Sequence, residues 1–114
     1  MSNKNKIIYL FFIPELNISK IGISRNVNNR LSQLQTGCPY QIKLIKTYSS
    51  ELSTKIERVL HRSFRTKKID SSEYTLMGEW FNLEIDLILK FEEICTEIEK
   101  NIIYLKKENN PFIK

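Results

Sequence analysis

A phenol, two cations, a carboxylate and an imidazole are enough for general acid–base work and for gripping an anion or a metal ion. Lys20, Arg30, Glu57 and His61, with one of the chain's five tyrosines, could supply that set. Lys20 interrupts the isoleucine-rich run Ser19-Lys20-Ile21-Gly22-Ile23. Gly22, two positions on, removes a side chain from the same face, because strand side chains alternate. A small hollow with a cation at its edge is expected. Arg30 comes one helical turn after Asn26, a good cap, where an apolar face ought to be widening. Glu57 and His61 stand one turn apart on a second helical stretch, on the border between its apolar stripe and a basic side formed by Lys55, Arg58, Arg62 and Arg65.

The elements that must hold these residues follow from periodicity. Ile7–Ile13 is apolar on both faces, as a central strand covered twice would be. Pro14-Glu15-Leu16-Asn17 is turn chemistry, and Ile18–Ser24 returns as the antiparallel partner. Asn26 then caps a helix carrying Val27, Leu31 and Leu34, which stops at Gly37 ahead of Pro39. Residues 40–48 alternate as a third strand, and residues 51–65 form a helix capped by Ser50 with Leu52, Ile56, Val59, Leu60 and Phe64 inward. Residues 67–78 read as a loop and Glu79-Trp80-Phe81 as a return to the core. From Asn82 one long amphipathic helix carries Leu87, Phe91, Ile94, Ile98, Ile102 and Leu105. Residues 1–6 and the tail after Glu108 should be loose. The fold class expected is α+β: a small three-stranded antiparallel sheet flanked by helices, with a long C-terminal helix.

At 114 residues the chain has room for a single core. Its net charge of +5 conceals an asymmetry: residues 20–68 hold eleven Lys or Arg against two acids, and residues 69–100 hold two against nine. A basic block attracts polyanions and an acidic one repels them, so one face should bind a polyanion and the other should not, unless the basic residues are simply a solvated face. The longest apolar run is too short to span a bilayer and sits as a strand would, which predicts an intracellular, cytoplasmic protein with no signal peptide, membrane segment or membrane partner. Cys38 and Cys95 lie far apart with no companion at metal-ligand spacing, so neither a disulfide nor a zinc site is expected.

Four motifs occur in one order. Ile-Ile-Tyr ends at Tyr9, Lys20-Ile21-Gly22 follows, Arg30 lies on the next helix and Glu57 on a later one; this series resembles the GIY-YIG endonuclease superfamily. The run Lys-Ile-Gly-Ile-Ser, the helix ending Leu-Gln-Thr-Gly, Glu57-x-x-Leu60-His61-x-x-Phe64 and Gly78-Glu79-Trp80-Phe81 are similar to the branch common in phage and large-virus proteins. The resemblance covers roughly residues 7–83, and residues 1–83 are read as the nuclease-like core, with 84–114 as a helix and tail of the same domain. Ile7 replaces the first Gly of the name motif and Lys20 the first Tyr of the second, a lysine known in restriction-type members. Asn82 is the nearest counterpart of the family's terminal asparagine.

The resemblance implies a metal-dependent hydrolysis of DNA phosphodiester bonds. Tyr9 would be the general base or water-orienting group, assisted by Lys20 and His61. Arg30 would present its fork of donors to phosphate. Glu57 would bind Mg²⁺ or Mn²⁺. Arg25, Arg58, Arg62 and Arg65 would contact nucleic acid, while Gly22, Glu79 and Asn82 would support the site. Taken singly, each residue has an ordinary structural reading; their order is what speaks for a site. The alternative is a nucleic-acid-binding module that keeps the fold but has lost turnover, and RNA stands beside DNA as a partner. Ile98, Ile102, Ile103 and Leu105 lie beyond the reach of a three-stranded sheet. They would be covered either by a second copy, in a homodimer through the C-terminal helix, or by the helix folding back on its own domain.

Overall fold

In the computed structural model, which describes residues 6–74 and 76–107, three antiparallel strands run in the order β2-β1-β3. The expected loose arm and tail lie, apart from Lys6, outside the described residues. Strand β1 (Ile7–Ile13) is central, between β2 (Ile18–Ser24) and β3 (Lys43–Ser49). Its doubly apolar sequence is used on both sides. Ile8 and Leu10 point into a core shared with Ile56, Leu60, Phe81 and Phe91, whereas Tyr9, Phe11 and Ile13 pack with Val27, Ile42 and Trp80. The β1–β2 turn is closed by Asn17, whose amide donates to the Ile13 carbonyl at 2.8 Å and whose φ of 57° is one asparagine tolerates.

Helix α1 (Val27–Gln35) is capped as its sequence predicts: Asn26 Oδ1 accepts from the Asn29 amide at 3.0 Å, and Gly37 at φ 81° follows its end. The third strand begins at Lys43, not at residue 40. Gln35 captures the intervening backbone, its Nε2 donating to the Tyr40 carbonyl and its Oε1 accepting from the Ile42 amide, each at 2.8 Å. A register shift between Leu10 and Phe11 then leaves Ile45 without a partner on β1.

Helix α2 (Ser53–Ser63) starts two residues later than its pattern suggests. Ser50 is folded into the turn ahead of it: its Oγ accepts from the Leu52 amide at 3.0 Å and its carbonyl from the Ser53 hydroxyl at 2.8 Å. Beyond Phe64 the chain tightens into a 3₁₀ turn, Arg65–Lys67, and a second, Ser71–Tyr74, interrupts the expected loop. The long C-terminal helix expected is present, but the stretch from Asn82 forms two helices rather than one. Helix α3 (Ile85–Leu89) and α4 (Phe91–Lys107) meet at Lys90, and Asn82 precedes both in extended chain. No glycine or proline marks this break; the joint buries Ile88 and Phe91 together and leaves Ile85 and Leu89 exposed. Ile98 and Ile102 fold back onto the core, so Ile103, Tyr104 and Leu105 are what the end of α4 exposes. Among the described residues no helix is long and apolar enough to cross a membrane, and both cysteines are free.

Candidate active site

The site forms along the outer edge of β2, where antiparallel pairing leaves alternate backbone groups pointing away from β1. Phe81 covers the first of them, its amide donating to the Ser19 carbonyl at 2.7 Å and its carbonyl accepting from the Ser19 amide at 2.8 Å. The second, the carbonyl of Ile21, accepts from His61 Nε2 at 2.7 Å. Thus Trp80-Phe81 acts as a one-residue extension of the sheet, and α2 brings His61 beside it.

On the face toward α1, Tyr9 stands opposite Gly22 in the register, and Phe11 opposite Lys20. The Tyr9 ring stacks on Phe11 at 4.0 Å and lies across Gly22, where an added Cβ would come within 2.5 Å of the ring's Cζ and overlap its hydroxyl. The hollow expected at Gly22 is therefore filled by Tyr9. Among the described residues nothing hydrogen-bonds the Tyr9 hydroxyl, although Tyr9 as a whole is only 2% exposed.

Lys20 is buried, at 8% exposure, with Nζ 5.6 Å from the centroid of the Trp80 ring and pressed against Gly78. Gly78, at φ 84°, has neither a side chain nor a backbone conformation that another residue could easily reproduce there. Burial lowers the Lys20 pKa first and the charge of Arg30 next, while Glu79 and Glu57 oppose both. Lys20, Arg30, Glu57 and Glu79 accordingly share one electrostatic environment, though they come from β2, α1, α2 and the Gly78-Glu79 loop.

His61 sits at its centre. Nε2 is 3.1 Å from Glu57 Oε2 as well as 2.7 Å from the Ile21 carbonyl, and Nδ1 is 3.0 Å from Glu79 Oε1. Carboxylates and carbonyls only accept, so both ring nitrogens must carry protons. Consistently, the hydrogen bond to Glu57 pushes the His61 pKa up, against its burial and with help from the Ile21 carbonyl and Glu79, to about 9. The imidazolium rests edge-on against Phe81, with ring centroids 5.2 Å apart. Glu79 is held below the usual carboxylate range chiefly by His61, with Lys68 at 3.5 Å on its other oxygen.

The expected residues therefore divide. Tyr9, Lys20, Gly22, Glu57, His61 and Glu79 gather along β2, and Arg30 acts on Lys20 across the same space. Arg25 follows β2 on the exposed path into α1. Asn82 is exposed just past Phe81; its amide donates to the Lys67 carbonyl, and no hydrogen bond links its side chain to the His61 network. Arg58 and Arg62 line a groove against α4, on a different side of α2 from Glu57 and His61, and Arg65 is exposed beyond the helix. Lys68, Gly78 and the Ile21 carbonyl were not foreseen. Of these only Gly78 carried a signal, as the first residue of Gly-Glu-Trp-Phe.

Among the described residues no group of three or more His, Cys, Asp or Glu is arranged to hold a metal ion. Glu57 alone, at 23% side-chain exposure, suits an ion such as Mg²⁺, which keeps most of its waters and takes one or two carboxylates. Glu57 Oε2 already meets His61, and Glu79 is held more fully, by both His61 and Lys68.

Compared with known families, residues 6–99 match the T5orf172 domain. Neither the curated proteins nor the solved structures compared with the chain give a match. The T5orf172 domain is found in phage proteins and is associated with nuclease-type modules, and with nearly all of its described length inside the match, this chain belongs to the T5orf172 domain family.

Proposed function

We propose that the protein is a metal-dependent endonuclease of the GIY-YIG type that hydrolyses DNA phosphodiester bonds. One observation carries this reading: the Tyr9 hydroxyl over Gly22, and Lys20 within electrostatic reach of Arg30 and Glu57, bring a phenol, two cations and a carboxylate from four separate elements together beside β2. In this reading Arg30 and Lys20 stabilise negative charge on the phosphoryl oxygens. The unbonded Tyr9 hydroxyl orients the attacking water, and would accept its proton only as the phenolate, after releasing its own proton to solvent. A divalent cation held by Glu57 would supply further charge neutralisation at the phosphate. His61, already doubly protonated, serves as a fixed cation that positions Glu57 and Glu79 and is not the base.

The same contact favours a second reading. Glu57 Oε2 is engaged by the His61 cation, which competes with any metal, so a DNA-binding module without turnover is the natural alternative. Supercoiled plasmid incubated with the protein and Mg²⁺ or Mn²⁺ separates the two: nicked or linear product that disappears with EDTA is expected for the nuclease, and intact plasmid under saturating protein would leave the binding module.

A further inference from the structure

Between the outer side of α2 and the C-terminal end of α4 runs an open groove lined by Lys55, Arg58, Arg62 and Lys106 together with the apolar Val59, Ile102 and Leu105. All four cations are exposed, and none forms an ion pair among the described residues. Lys55 and Arg58 are three residues apart, and Arg58 and Arg62 four. At these spacings like charges on a helix repel. Helix dipoles account for cations in a last turn, which covers Arg62 on α2 and Lys106 on α4, but not Lys55 or Arg58 near the start and middle of α2. The cluster therefore lacks an internal reason.

Resting on the reading of the protein as one that acts on nucleic acid, we propose that this groove is a track for the sugar–phosphate backbone of duplex nucleic acid, making the end of α4 a binding element. A polyanion neutralises all four cations at once, with sugar faces against Val59 and Ile102 and phosphates on the rim. A second copy seated groove to groove on a two-fold axis would instead set the same four cations against one another. Arg58 and Arg62 each follow Glu57 and His61 by one residue, so they lie about 100° around α2, roughly one helix width of 10–12 Å from the site. A backbone crossing α2 reaches both. The acidic first turn of α4, with Glu92 and Glu93, turns the same duplex away from the opposite end.

The test is the salt dependence of binding to a random-sequence DNA duplex, followed by fluorescence anisotropy in EDTA between about 50 and 200 mM salt. Replacing Lys55→Ala together with Lys106→Ala should lower the slope of log K against log salt by about 1.8, since each phosphate contact contributes about 0.9. Lys55→Arg with Lys106→Arg should keep the parent slope. An unchanged slope in the alanine pair, no measurable binding by the parent, or a parent that sediments as a dimer dispersed by the alanine pair would each overturn the proposal, the last by giving the groove to a second copy. Because no divalent cation is present, the predicted slope change in a protein that never cleaves would count against the nuclease reading alone. Cleavage with an unchanged slope would count against the groove alone.

Discussion

Gly22 is where a missing side chain matters most. Tyr9 occupies the space a Cβ would need, and the ring is clamped on its other side by Phe11, so Gly22→Ala must displace Tyr9 or bend β2. Overpacking of this kind costs about 1–3 kcal/mol. Denaturant titration should show a loss in that range, accompanied by a larger loss of cleavage than stability alone explains; a variant with parental stability and activity would mean that Tyr9 has room to move. His61 gives a second prediction, sharpened by its being the sole histidine. Its pKa is raised from 6.5 to about 9, so the folded state binds its proton more tightly than the unfolded state does. The stability it contributes is complete below pH 6.5 and is lost as pH climbs through about 9. Lys20, with a lowered pKa, works in the opposite sense, gaining stability as pH rises. Unfolding free energies measured from pH 6 to about 9.5 should therefore fall with pH in the parent and change less in His61→Gln. Parallel curves for the two would contradict the doubly protonated His61.

At the scale of elements, the strand-turn-strand hairpin and α1 were legible because each is specified locally. Alternation, Asn26 and Gly37 all act within a few residues, and α2 was legible through its stripe. What the sequence hid was tertiary. Gln35 delays β3 by taking up the Tyr40 and Ile42 backbone, and the joint at Lys90 follows from packing Ile88 and Phe91 with no local breaker. The site shows the same division. Lys20 and Arg30 stood out as charges in unlikely places and Glu57 by its border position one turn from His61, whereas the contact of Gly78 with Lys20 and the use of the Ile21 carbonyl by His61 join residues distant in sequence. Phe81 connects these levels, since it extends β2 through Ser19, fills the core at 1% exposure and supports the His61 ring. Phe81→Ala should cost about 3–5 kcal/mol as a core truncation. It should also weaken the His61 contacts, read as a drop in the His61 pKa by NMR titration. A loss of less than about 1 kcal/mol, well below that range, would mean that the backbone bridge alone holds this edge.

Across the whole molecule, charge is sorted by position. The basic block of residues 20–68 supplies β2, α1 and α2, while α3 and the first half of α4 carry the acids. Lys20, Arg30 and the α2 cations of the α2–α4 groove thus come from one basic block, while the first turn of α4 is acidic and a polyanion avoids it. In the proposed reaction, catalysis would turn on one carboxylate, because Glu57 is the acid of the site not shared between His61 and Lys68. Glu57→Ala therefore tests the central claim most directly, with plasmid nicking in Mg²⁺ and duplex binding in EDTA measured on the same preparation. Cleavage should disappear while affinity is kept or rises slightly, since a negative charge leaves a basic surface. Nicking at the parental rate by Glu57→Ala would contradict the account.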